Sequence, residues 1–285
     1  MRVRFEEIAG VRTRYYEAGR DAGSADPVLL LHGAGMSSDC WLRNIPALAN
    51  DRPVVAPDEL GQGLTGTGAA EEGPPHPWIV EHLAALVEHL GWTRFTAVGS
   101  SFGALIAALL YFRLPSHVRS LVLVSSGSAV NREGDSNLQS AYRNGLSVLD
   151  DPSPETCRKR LGRIFHDSDA VPPELVFMQA TLCALPGARE SYLRRMHGMM
   201  QFEACRPYKI VERLEQIDVP VLLLWGRNDP RGRHDRAQEA AARIPAAELV
   251  TFDDCGHHPH IEAPQRFNET VAGFLRRQDR PQRMT

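Results

Sequence analysis

Two kinds of apolar pattern alternate along the chain. Short, continuously apolar runs recur at Val28-Leu29-Leu30-Leu31, Val54-Val55-Ala56, Phe95-Thr96-Ala97-Val98, Val118 to Val124, Val219 to Trp225 and Leu249-Val250-Thr251-Phe252. Runs of that length, rich in β-branched residues, are expected of strands buried on both faces of a parallel sheet. Between them the apolar residues fall at helical spacing. Pro77 to Leu90 presents Ile79, Leu83, Leu86, Val87 and Leu90 on one face and stops at Gly91; Pro264 to Arg277 turns Phe267, Val271, Phe274 and Leu275 inward. Trp41 to Leu48, Ala104 to Leu114 and Asp235 to Ile244 are also predicted helices. At the start, Val3 to Ile8 and Val11 to Glu17 read as a hairpin joined through Ala9-Gly10. Strand followed by helix, repeated, predicts an α/β fold.

From about Asn131 to Gln216 the alternation stops. Ser136 to Leu149, Pro154 to Phe165, Pro173 to Leu185 and Arg189 to Met200 are predicted helices, punctuated by prolines and Gly187. The pattern predicts a helical cap over residues 131–215, inserted into a core made of 1–130 and 216–285. Met196, Met199, Met200 and Phe202 read either as a packing stripe or as the lining of an apolar pocket, which makes Met199 a substrate-binding candidate.

With 285 residues, 43% hydrophobic, 24% charged and a net charge of -3, the chain gives no electrostatic reason to expect nucleic acid, so a small molecule is the expected partner. No apolar run approaches a membrane span. The opening Met1-Arg2-Val3-Arg4-Phe5-Glu6-Glu7 is too charged for a signal peptide, so a cytoplasmic protein is expected. Five scattered cysteines with no Cys-x-x-Cys pair suggest neither a disulfide framework nor a zinc site. Homo-oligomerisation stays open.

The candidate chemistry sits at the strand ends. Gly99-Ser100-Ser101-Phe102-Gly103 places Ser101 on a strand-turn-helix corner that would hold its hydroxyl out of the sheet. Alone, the same residues fit a βα turn with capping serines. His32-Gly33-Ala34-Gly35 follows a buried strand, where backbone N–H groups can turn toward a ligand. The loop Pro57 to Gly66 lacks the spacing and lysine of a phosphate-binding loop, and Asp58 reads as a loop-ordering carboxylate. Asp229 stands just past another strand end, in Gly226-Arg227-Asn228-Asp229-Pro230. Asp253 to Glu262 carries His257, His258 and His260 in a loop without metal-ligand spacing, so neither a metal nor a cofactor is expected.

In a parallel sheet these strand ends share one edge, where ligands bind. The order Ser, Asp, His is that of the nucleophile-elbow hydrolases. His-Gly-Ala-Gly, Gly-Ser-Ser-Phe-Gly, Trp-Gly-Arg-Asn-Asp and Cys-Gly-His-His-Pro-His-Ile-Glu, in that order, resemble the α/β-hydrolase superfamily over nearly the whole chain. The resemblance implies a mostly parallel eight-stranded sheet with an inserted cap. It also implies Ser101 as nucleophile, Asp229 as acid, His257 as base, and the Ala34 and Phe102 N–H groups as oxyanion hole. The stretch Arg12 to Gly19 and the segment Pro154 to Val176 look like the meta-cleavage-product hydrolases, which split a carbon-carbon bond in dienoic diketo acids. Gln179 falls where that branch usually carries an arginine for the substrate carboxylate, His258 where tryptophan is common, and Ser100 where asparagine is common. The resemblance therefore implies a serine hydrolase acting on a small, largely apolar ester or activated ketone. A hydrolase specific for dienoic diketo acids is the alternative, and Gln179, His258, Trp41 and Met199 are the substrate-binding candidates. From a different class, a lyase, a cofactor-free oxygenase or a binding module could use the same fold, although an intact Ser-Asp-His set argues against the last.

Overall fold

The computed structural model describes residues 1–23, 25–68, 72–131 and 138–279. Eight strands form one sheet: β1 Arg2–Ile8, β2 Val11–Ala18, β3 Val28–Leu31, β4 Val54–Pro57, β5 Phe95–Ser100, β6 Val118–Val124, β7 Val221–Gly226 and β8 Ala247–Phe252. Their spatial order is β1-β2-β4-β3-β5-β6-β7-β8. β1 and β2 form the expected hairpin, whose turn residues Ala9 and Gly10 both take positive φ, as a tight two-residue connection demands. β2 also runs antiparallel to β4, and every later pairing is parallel.

Burial on both faces explains the continuously apolar strands β3 to β7, whereas β8, carrying Leu249 to Phe252, lies at the edge of the sheet and is half-exposed. Leu29 and Leu31 join a core with the helices His76–His89 and Phe102–Arg113, while Val28 and Leu30 join a second core containing Trp41, Phe267 and Phe274. β7 divides in the same way, with Val221, Leu223 and Trp225 on one side and Leu222 and Leu224 on the other. All strands of the sheet lie within residues 2–124 and 221–252, and the helices Leu138–Asp150, Pro154–Gly162, Pro173–Cys183 and Ala188–Met199 intervene.

Several predicted boundaries move for local reasons. Trp41 to Leu48 is a 3-10 turn over Ser38–Trp41 and a short helix over Ile45–Leu48, because Pro46 cannot donate to a continuous helix through this stretch. The helix expected to reach Phe165 stops at Gly162, which leaves the Ile164 carbonyl free to accept the His257 N–H at 2.8 Å. Residues 136 and 137, the expected start of the first helix of the insertion, lie outside the described residues. The last helix runs from Pro264 to Asp279, two residues past the predicted Arg277. Its end is tied down by Arg52, which donates to Asp279 at 2.8 Å, and by Arg119, which donates to the Gln278 carbonyl. Residues 280–285 lie outside the described residues.

The helix His76–His89 buries two histidines. Burial, with the Arg195 charge adding to it, holds His76 down at about 4, and burial alone holds His82 at about 4. Unfolded, each titrates near 6.5, so between these values the unfolded chain binds more protons than the folded one. Stability is therefore full above about pH 6.5 and is lost as pH falls toward about 4. Each histidine contributes on the order of 3 kcal/mol across that window. Thermal midpoints recorded at falling pH should drop steeply below about pH 6. His82→Gln, which can keep the bond to Thr13 without the titration, should make that drop shallower; identical slopes in both proteins would rule this origin out.

Candidate active site

Ser101 stands between β5 and the helix that starts at Phe102, with φ 55 and ψ -118. That backbone conformation is strained for a residue with a side chain, and persists only where its surroundings fix it. Ser101 N–H donates to the Val124 carbonyl at 2.8 Å, and its own carbonyl accepts from Ser126 Oγ at 2.9 Å. The two motif glycines are required by close approach. A Cβ on Gly99 would lie 2.2 Å from the Gly103 carbonyl oxygen, and one on Gly103 would lie 2.4 Å from that of His32. Gly99→Ala or Gly103→Ala should each cost about 3 kcal/mol or more, since backbone must shift to admit the methyl; chemical denaturation would measure it.

The corner delivers the Ser101 hydroxyl to His257, with Oγ and Nε2 2.9 Å apart, while His257 Nδ1 lies 2.9 Å from Asp229 Oδ1. A carboxylate can only accept, so Nδ1 carries the proton and Nε2 accepts from the serine hydroxyl. His257 and Asp229 are both almost wholly buried. Asp229 Oδ1 also accepts the Arg231 N–H at 2.8 Å, and Trp225 Nε1 closes the same loop by donating to the Gly232 carbonyl at 2.7 Å. The acid and histidine loops pack backbone to backbone, because a Cβ on Gly226 would meet the Gly256 carbonyl oxygen at 1.9 Å. Glu262 organises the histidine loop, accepting from the N–H groups of Gly256, His258 and His166. Sequence reasoning gave Glu262 no role, although its spacing of four from His258 was a signal.

Two residues with unengaged backbone N–H groups line the same cavity as the Ser101 hydroxyl. Phe102 N–H opens a helix and Ala34 N–H follows Gly33; neither bonds to any described residue. A Cβ on Gly33 would come within 3.2 Å of Ser101 Cβ, so glycine lets this loop lie against Ser101. Asp58 lies under it as a loop-ordering carboxylate: it accepts from Ser38 N–H, Ser38 Oγ and Leu64 N–H and faces Arg14 at 3.1 Å.

Ser101, His257, Ala34 and Phe102 line a cavity of about 480 Å³. In one part of it His76 stacks on Tyr208 at 5.0 Å and packs against Phe102, with Met196, Met199 and Phe202 adding apolar surface. In another, Arg160, Arg231, Tyr192 and His258 gather. Burial pushes the Arg231 guanidinium below its usual range and the charge of Arg160 adds to this. Neither arginine has a carboxylate at ion-pair distance among the described residues. Both ring nitrogens of His258 are buried without a partner, and burial with neighbouring cationic groups holds the ring neutral.

Of the four substrate-binding candidates, His258 and Met199 line the cavity and the other two do not. Trp41 is fully buried, its ring 4.3 Å from that of His260 and against Phe267. Gln179 is buried, and its Oε1 accepts from Arg160 Nη1 at 2.8 Å, so it bonds to an arginine that lines the cavity. His260, expected in a loop, sits on the one-turn helix Pro259–Glu262, and burial takes its ring down to about 3. Arg160, Tyr192 and His76 were not singled out from sequence, since helical periodicity does not say which way a cap helix faces. Arg231 did carry a signal, being two residues past Asp229.

A family model described as the alpha/beta hydrolase family matches residues 28–270. A 2-hydroxymuconate semialdehyde hydrolase of Pseudomonas putida is 30% identical over 273 residues, covering 95% of this chain and 93% of that protein. A 2-hydroxy-6-oxononadienedioate/2-hydroxy-6-oxononatrienedioate hydrolase of Burkholderia vietnamiensis is 29% identical, covering 95% and 93%. Among solved structures, a meta-cleavage product hydrolase of Pseudomonas fluorescens superposes with a TM-score of 0.78 at 26% identity, covering 96% of this chain and 97% of that one. Among the described residues no helix is long and apolar enough to cross a membrane.

Proposed function

Because this chain belongs to the α/β hydrolase family, we propose that Ser101, His257 and Asp229 are its catalytic triad and that it cleaves the carbon-carbon bond of a dienoic keto acid. One observation carries the reading: the serine relay opens into the same cavity as two guanidiniums with no carboxylate at ion-pair distance among the described residues. A small neutral ester would leave both cations unmatched in a partly desolvated site, whereas a substrate carboxylate would satisfy them. Gln179 had pointed toward a neutral substrate, but it serves Arg160, so that argument lapses. The relatives whose names specify hydroxylated oxo-dienoate or semialdehyde substrates support the same class.

The chemistry follows from the residues. His257 takes the Ser101 proton as Oγ adds to the keto carbonyl, and Asp229 holds the ring and stabilises the imidazolium. The Ala34 and Phe102 N–H groups meet the oxyanion, each contributing on the order of 3 kcal/mol. The 2-hydroxy dienoate must first tautomerise to its 2-keto form, its enol proton lost and a proton gained on the carbon beside the ketone under attack. Collapse of the tetrahedral intermediate then breaks the bond to that carbon, and the carbanion leaves as a dienolate conjugated with the new ketone, which His257 reprotonates. Arg160 and Arg231, set against its carboxylate, favour that build-up of negative charge. Water then releases the acyl group from Ser101.

Residues 131–215 act in this reading as a cap, supported by the cavity residues Arg160, Ile164, Tyr192 and Met196 that it supplies. The five unpaired cysteines fit a cytoplasmic enzyme with a small-molecule substrate. Comparison of kcat/KM for a dienoic keto acid and for p-nitrophenyl esters tests the proposal. The keto acid should be preferred by about a hundredfold or more, the scale of one buried charged contact; equal values, or preference for the ester, would refute it.

A further inference from the structure

The Ala34 N–H is useful only if the Gly33-Ala34 peptide is rotated correctly, and the structure shows what sets that rotation. Glu59 N–H donates to His32 Nε2 at 2.9 Å. A peptide N–H can only donate, so Nε2 is the bare nitrogen and Nδ1 carries the proton, which it gives to the Gly33 carbonyl at 2.9 Å. Met36 N–H reaches the same oxygen at 3.1 Å. In a planar trans peptide the carbonyl and the following N–H point in opposite directions. Anchoring the Gly33 oxygen on the His32 side therefore turns Ala34 N–H the other way, into the cavity that Ala34 and Ser101 line.

The anchor continues into the cap. Glu59, the second residue past β4, has a fully buried carboxylate that accepts from Arg195 Nη1 at 2.7 Å, and Arg195 Nη2 donates to the Leu60 carbonyl at 2.7 Å. Arg195 lies on the helix Ala188–Met199, and its guanidinium stands 5.8 Å from the ring of Phe102, the residue that supplies the other backbone donor. Ser191 on the same helix donates to the Gly61 carbonyl. A buried ion pair is a costly way to attach a helix, and an apolar contact would hold it as well. What the pair adds is direction, because it fixes the Glu59-Leu60 backbone that feeds His32.

We propose that Arg195, Glu59 and His32 form a positioning relay through which the seated cap orients the Ala34 N–H of the oxyanion hole. None of the three touches the reacting atoms. The proposal rests on Ser101 acting as the nucleophile, and it is independent of which substrate the enzyme prefers.

Three variants test it with p-nitrophenyl acetate as substrate. Two ligands accompany them: phenyl trifluoromethyl ketone, whose carbonyl takes up Ser101 Oγ while the proton passes to His257 and the charge settles on the oxyanion, and benzoate, which forms no such adduct. His32→Gln, and the uncharged pair Glu59→Gln with Arg195→Met, should lower kcat about ten- to a hundredfold, with KM changed less than about threefold. Affinity for the ketone should fall by the same factor, and affinity for benzoate should not. His32→Asn keeps an amide donor near the Nδ1 position and should recover most of the loss. An unchanged kcat in the Glu59/Arg195 pair would overturn the relay. So would benzoate affinity falling in step with ketone affinity, which would mark a merely structural role. The wild-type protein is first treated with a fluorophosphonate: failure to label Ser101 would sink the nucleophile assignment beneath the relay, whereas labelling with unaffected variants would sink the relay alone.

Discussion

Replacing Ser101 with alanine is expected to lower turnover about a millionfold and to abolish fluorophosphonate labelling, while substrate still binds. The size follows from the geometry: Ser101 Oγ, His257 Nε2, His257 Nδ1 and Asp229 Oδ1 form one line of 2.9 Å contacts, and the line has no second nucleophile. His257→Ala should cost nearly as much, and the double variant little more than either, because the groups act as a unit. What survives comes from Ala34 and Phe102 N–H and from binding. Single-turnover measurements with a dienoic keto acid would separate chemistry from binding. A Ser101→Ala protein retaining more than about one-hundredth of wild-type turnover would show that another group attacks the substrate.

The sequence made the middle of the sheet legible because its strands β3 to β7 are buried on both faces. Runs such as Leu29-Leu30-Leu31 and Leu222-Leu223-Leu224 have no polar face to confuse with a helix. Ser101, Asp229 and His257 could be singled out for a related reason. Ser101 and Asp229 follow buried strands, His257 follows the half-exposed edge strand β8, and each sits near glycines whose missing side chains admit a neighbouring backbone, at Gly99, Gly103, Gly226 and Gly256. The cavity was less legible, because it is made by helix faces meeting across space. An ungapped reading placed Gln179 against the substrate, yet a longer side chain from the neighbouring helix, Arg160, reaches past it into the cavity. Trp41 looked like a pocket aromatic, and the 3-10 turn that carries it rotates the ring into the core against Phe267. The pairing of Glu59 with Arg195 joins residues 136 apart in sequence, and no local pattern announces it.

Arg231→Met should lower kcat/KM for a dienoic keto acid about a hundredfold and leave p-nitrophenyl acetate within about threefold of wild type. A buried hydrogen bond to a charged group is worth about 1.5 to 3 kcal/mol, and Arg231 makes no ion pair among the described residues, feeling the Asp229 carboxylate, which is already bonded to His257, only at longer range. Adding Arg160→Met should bring the keto acid loss to about a thousand- to ten-thousandfold, with the two effects departing from additivity because the guanidiniums lie close enough to perturb each other. Arg160 carries a second duty that separates it from Arg231. Its Nη2 donates to the Gly35 carbonyl at 3.3 Å, next to the Ala34 donor, so Arg160→Met should also slow the ester. Charge, not shape, is the quantity under test. The methyl ester of the same keto acid should therefore be nearly indifferent to Arg231→Met, and Arg231→Glu should impair the acid more than Arg231→Met does. If acid and methyl ester lose activity in parallel in both variants, Arg231 shapes the cavity without reading the carboxylate, and the keto acid assignment loses its main physical support.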